Sequence, residues 1–129
     1  SRKMHHIVPI LLSILIIHSS NTCKIKLTII SRTVKPFLFQ AIVPSLTTKT
    51  AVTEFVYKDQ IITTMVEGKN CYDKRWIMKT WKKAGKKWVA ARERRMRLDG
   101  NGKLNVTVGD SLIPVLDSRM GILCSHGPC

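Results

Sequence analysis

Between Lys69 and Arg97 the chain carries twelve basic residues: Lys69, Lys74, Arg75, Lys79, Lys82, Lys83, Lys86, Lys87, Arg92, Arg94, Arg95 and Arg97. Only Asp73 and Glu93 oppose them. Apolar residues within this run recur at helical spacing. Ile77, Trp81, Ala84 and Trp88 fall at i, i+4, i+7 and i+11, which lines one helical face. The spacing predicts a basic helix that opens near Asp73, passes through Gly85 and ends at Leu98, where Asp99-Gly100-Asn101-Gly102 stops it. Trp81 and Trp88 are then core residues of that helix. Trp76 lies off the stripe, where it covers a sheet edge or stacks on a ligand. Core packing is the simpler reading for all three.

Four runs ahead of the helix are strand-like, being rich in β-branched and aromatic residues: Lys24–Ile30, Phe37–Val43, Val52–Tyr57 and Ile61–Val66. Lys58-Asp59 reads as a tight turn between the last two. The expected fold class is therefore α+β, a small three-stranded antiparallel meander packed by one C-terminal basic helix, with one of the four runs serving as loop. Residues 99–129 read as a partly flexible extension, in which Lys103–Val108 could pair as an edge strand and Pro114 breaks a short apolar run. At 129 residues the chain makes one domain, and with aromatics at 6% its core is thin.

The first residues have the order of a secretory signal: basic residues and histidines, the apolar run Ile7–Ile17, then small polar residues to Thr22. The run is shorter than the roughly 20 residues of a membrane span. Met4 is the natural initiator, residues 1–22 the signal, and 23–98 the domain. A secreted chain places Cys23, Cys71, Cys124 and Cys129 in an oxidising compartment, where they pair. Four cysteines allow three connectivities, of which Cys23–Cys71 with Cys124–Cys129 joins neighbouring parts of the chain. Asn105-Val106-Thr107 fits a glycosylation sequon, with Asn105 as the acceptor.

No catalytic constellation is visible. The domain proper lacks histidine before His126, its acids are scattered, and Gly100-Asn101-Gly102 is not a phosphate loop. The sequence thus reads as a non-enzyme with no cofactor, no metal and no small-molecule substrate. Net charge of +14 implies a polyanionic partner: nucleic acid, sulfated polysaccharide or an anionic membrane. Like charges at i, i+3 and i+4 destabilise a bare helix, so so one-sided a run points to binding. Counterion release would drive it.

The stretch Gln60–Asp73, with Gly68 in its turn and Cys71 after it, followed by Trp76 and a Lys-rich segment, resembles the C-terminal half of a chemokine. The single cysteine at the front, Cys23, is similar to the lymphotactin type. The resemblance covers about Cys23 to Trp88 and departs from the family at Lys74, where proline is expected. It implies a Cys23–Cys71 staple. It implies a seven-helix receptor engaged by Cys23, Lys24, Lys26 and the chain through Arg32. It implies sulfated glycosaminoglycans bound by Lys79, Lys82, Lys83, Lys86 and Lys87, with Arg92, Arg94, Arg95 and Arg97 continuing the basic surface. The implied protein is a secreted ligand in chemotaxis or immune signalling, with a second copy of itself among its candidate partners. The rival readings are a basic intracellular nucleic-acid-binding protein of ribosomal type and a cationic antimicrobial protein.

Overall fold

The computed structural model describes residues 22–129. Residues 1–21 of the expected signal, Met4 among them, lie outside the described residues, and Thr22, its expected last residue, opens the first strand. Eight strands follow in order: β1 (Thr22–Ser31), β2 (Phe37–Val43), β3 (Thr48–Lys49), β4 (Thr53–Phe55), β5 (Ile61–Lys69), β6 (Trp76–Ala84), β7 (Lys87–Val108) and β8 (Pro114–Ser125). Among the described residues the one helical element is a 3-10 turn at Pro44–Leu46. The strands form a single curled sheet in the order β3-β2-β6-β7-β1-β5, with β4 also on β2 and β8 also on β7. The β1–β7 pair is parallel and the other pairs are antiparallel.

Period-2 burial explains why these residues form strands. Cys23, Ile25, Leu27 and Ile29 face inward from β1, and Phe37, Phe39, Ala41 and Val43 from β2. Trp76 and Met78 do so from β6, and Met96, Leu98, Leu104, Val106 and Val108 from β7. Phe37 stacks on Phe55 of β4 at 4.8 Å between ring centroids. β7 holds the sheet together. Its first part, Lys87–Met96, pairs with β6, while its later part pairs with β8 and, from Asn101, with β1.

This overturns the expected α+β fold. The basic stretch is not a helix but an antiparallel hairpin of β6 and β7, closed by the two residues Gly85 and Lys86. Of these two only Gly85 has positive φ, at 65°, the signature of a type II′ turn. The decisive pattern is the alternation Trp76, Met78, Thr80, all buried, rather than the longer stripe of Ile77, Trp81, Ala84 and Trp88. Charge favours the hairpin as well. Its register opposes Lys79 with Glu93, Lys82 with Val89, Lys83 with Trp88, Thr80 with Arg92, Met78 with Arg94 and Ile77 with Arg95. No cation stands directly opposite another, whereas a helix would set them on adjacent turns.

The strand runs before the hairpin do form strands, but not a meander: β4 pairs with β2 and β5 with β1. Asp99-Gly100-Asn101-Gly102 does not stop the chain, which continues through it as β7. Gly100 (φ 117°) and Gly121 (φ 73°) meet where β7 and β8 cross closely. A Cβ at Gly100 or Gly102 would overlap a backbone carbonyl of Gly121 or Met120. The register slips between Gly100 and Lys103, and such a bulge bends the strand. Residues 99–129 thus form the second half of β7 and β8, and Lys103–Val108 is flanked on both sides.

Two disulfides close, Cys23–Cys71 across 48 residues and Cys124–Cys129 across 5. The first ties the start of β1 to the loop before β6. There the carbonyl of Cys71 accepts the indole N–H of fully buried Trp76 at 3.1 Å. At the C-terminus Tyr72 meets the Ser125 hydroxyl, which also hydrogen-bonds His126 Nδ1, and the Arg97 guanidinium lies 5.7 Å from the Tyr72 ring centre. In the chain-entropy account, replacing both Cys23 and Cys71 by serine should cost about 4 kcal/mol, against about 2 kcal/mol for the Cys124–Cys129 pair. Urea unfolding of the two double variants checks this ordering.

Candidate polyanion-binding hairpin

The β6–β7 hairpin outgrows the strand beside it. β2 covers β6 only from Ile77 to Lys82, so the turn with Lys83, Lys86, Lys87 and Trp88 projects past Phe37, the first residue of β2. Lys82, Lys83, Lys86 and Lys87 are all exposed. On the face opposite Trp76 and Met78, lysine alternates with tryptophan. The Lys79 ammonium sits 5.6 Å from the Trp81 ring centre and the Lys83 ammonium 5.3 Å from that of Trp88. These are cation–π distances. Trp81 and Trp88, expected in the core, are therefore half-buried surface residues that hold the lysine stems, while Trp76, off the helical stripe, is the one of the three that is fully buried.

Beside the tip two loops, 32–36 and 109–113, complete a cavity of about 480 Å³. Lys35, Lys82, Lys83 and Arg92 supply its charge, Asp110 and Ser111 its polar atoms, and Pro36, Ala91 and Leu112 its apolar lining. Its walls are fixed by a hydrogen-bond network anchored on buried Thr33. Thr33 Oγ1 donates to the Asp110 carboxylate at 2.6 Å, the Lys35 N–H donates to Thr33 Oγ1 at 3.0 Å, and the Lys35 ammonium donates to the Asp110 carbonyl at 3.1 Å. Thr80 Oγ1, 1% exposed, donates to the Leu112 carbonyl at 2.7 Å. Leu112 sits at φ 62°, a left-handed conformation that costs a non-glycine residue roughly 1–3 kcal/mol. Burial of its side chain offsets that cost, and the Thr80 bond sets the loop against the hairpin.

The nine cations expected to bind polyanion divide in two. Lys82, Lys83, Lys86, Lys87 and Arg92 gather at the tip and cavity, with Lys79 next along β6. Arg94, Arg95 and Arg97 lie further down β7, away from the tip. Arg95 is paired with Glu93 at 2.6 Å, and Arg94 and Arg97 are half-buried, Arg97 against Tyr72. Among the described residues the other ion pair is Arg32–Asp59 at 2.9 Å. Lys35 was not singled out in the sequence. Its neighbour Pro36, which fixes the loop before β2, is the only local signal for it.

The residues expected at a receptor are dispersed. Cys23 is buried in its disulfide, Lys24 and Lys26 project from β1 between β5 and β7, and Arg32 stands beyond the far end of β1. Asn105 is half-buried on β7 between Thr28 and Ser118.

The fold is a curled, disulfide-stapled β-sheet bearing one cationic hairpin. No family model matches the chain, and no curated protein matches it. Among solved structures it is similar to a crystal structure of listeriolysin O, at 12% identity and TM-score 0.33, over 76% of this chain and 22% of that chain. It is similar also to a structure described as a trapped toxin, at 13% identity and TM-score 0.28, over 79% of this chain and 23% of that one. The chain thus spans under a quarter of the length of either, and likenesses this slight carry no argument.

Thr80→Val should remove the donor to Leu112 and leave a buried carbonyl unpaired, costing about 1–3 kcal/mol. Thermal or urea unfolding measures the loss, and a change below the error of the method would show that Thr80 does not hold the loop.

Proposed function

We propose that this protein is an extracellular β-sheet module that binds sulfated glycosaminoglycans through the β6–β7 hairpin tip. The observation that carries the reading is the overhang. Lys82, Lys83, Lys86 and Lys87 project together, with Arg92 and Lys35 behind them and no ion pair on any of them among the described residues. Cations that stabilise a fold are usually paired or spread out. These crowd one end, where Lys83 lies over the Trp88 ring and Lys35 donates to the Asp110 carbonyl. A linear polyanion laid across them would release counterions at each contact.

The choice of sulfated polysaccharide over nucleic acid rests on the cysteines. All four are paired, which supports an oxidising compartment. The seven-helix receptor of the chemokine resemblance depended on a sheet-and-helix architecture that the described residues do not form, so it is no part of the proposal. Glycosaminoglycan binding does not need that architecture, because a hairpin presents lysines as well as a helix does.

Heparin affinity tests the reading. The variant Lys83→Ala/Lys86→Ala/Lys87→Ala should elute at lower salt than the parent, and its plot of log affinity against log salt should lose roughly one unit of slope per lysine removed. Elution unchanged in that variant but lowered by Lys24→Ala/Lys26→Ala would move the site to the outer face of β1. Tighter retention on single-stranded DNA than on heparin would favour the nucleic-acid reading.

A further inference from the structure

The cavity beside the tip has features that a simple charged surface does not need. It has a defined volume of about 480 Å³, within the range of small-molecule clefts, and a wall set by Leu112 in the left-handed region. Four cations, Lys35, Lys82, Lys83 and Arg92, border it together with one acid, Asp110. Lys35 and Asp110 are tied to each other's loops by the Thr33 network, so their positions are preset. Neither Lys82 nor Arg92 has a side-chain ion pair among the described residues.

We propose that this cavity receives one sulfated sugar residue of the chain that the tip holds, a claim that rests on the glycosaminoglycan reading above. The chemistry distinguishes a sugar from a bare oxyanion. The Arg92 guanidinium is suited to a sulfate, since its planar donors can grip two oxygens at once. The Asp110 carboxylate would repel a bare anion but can accept a hydrogen bond from a sugar hydroxyl. Pro36, Ala91 and Leu112 offer apolar surface to the C–H face of a ring. The site therefore asks for sulfate, hydroxyl and ring together. The hairpin supplies long-range attraction, and the cavity supplies selection among sulfated units.

Calorimetric titration of the full chain with a trisulfated heparin disaccharide, and separately with inorganic sulfate, tests this at physiological salt. The disaccharide should bind one per chain. Arg92→Ala and Lys82→Ala should each weaken it by about tenfold or more, as loss of a hydrogen bond to a charged group does, and Lys58→Ala should not. Inorganic sulfate should bind far more weakly than the disaccharide. The proposal is overturned if the disaccharide binds no better than sulfate, or binds equally well to both variants with their folds intact by circular dichroism. If long heparin is still held by the tip in that case, the cavity inference alone has failed. If long heparin is not held either, the glycosaminoglycan reading has failed with it.

Discussion

A strand of 22 residues reaches roughly 70 Å at the usual rise per residue, whereas a compact chain of about this size has a radius of gyration near 13 Å. β7 cannot lie straight within such a body. It bends at the Gly100–Lys103 bulge, where glycines let β8 pass close, and it overhangs at the end shared with β6. Everything else is arranged by these two solutions. The bent half is covered by β1 and β8 and carries Leu98, Leu104, Val106 and Val108 into the core. The end that overhangs past Phe37, from Lys83 to Trp88, carries no buried residue and is free to carry charge.

The two ends of the structure are held by different means. At one end the Cys23–Cys71 bond, the Trp76 indole and the tail around Tyr72 close the sheet covalently and by burial. Gly127 lies so near the Arg95 carbonyl that no side chain would fit, which seats the C-terminal loop on β7. At the other end hydrogen bonds from Thr33 and Thr80 hold two loops beside the hairpin. The cationic surface is thus built on a polar scaffold, away from the staple. Substitution of its lysines touches little of what keeps the chain folded.

The apolar strands were legible in the sequence because their burial alternates: Lys24–Ile30 and Phe37–Val43 announce themselves residue by residue. The hairpin was not. Lys, Arg and Ala are good helix formers, and Ile77, Trp81, Ala84 and Trp88 keep helical spacing, so local propensity and one periodicity agreed on the wrong element. The shorter alternation Trp76-Met78-Thr80 is masked because its last member is polar, and the buried Thr80 hydroxyl is satisfied by the carbonyls of Leu112 and Arg92. The β6–β7 pairing register, which keeps every cation of the hairpin opposite a neutral or acidic partner on the other strand, is a long-range property that no single window displays. The basic cluster itself was visible as composition. Its division into a free tip and a paired or half-buried remainder, and the arrival of Lys35 from another loop, required the fold.

Backbone amide shifts on titration with a heparin hexasaccharide test the central claim most directly. If the hairpin overhang is the binding surface, the amides that move should be those of residues 82–92, together with residues 33–35 and 109–112 that line its flank. The core amides of β1 and of the bent half of β7 should stay in place. Shifts centred on Lys24, Lys26 and Lys103, or none at saturating oligosaccharide, would contradict the assignment of the hairpin as the polyanion site.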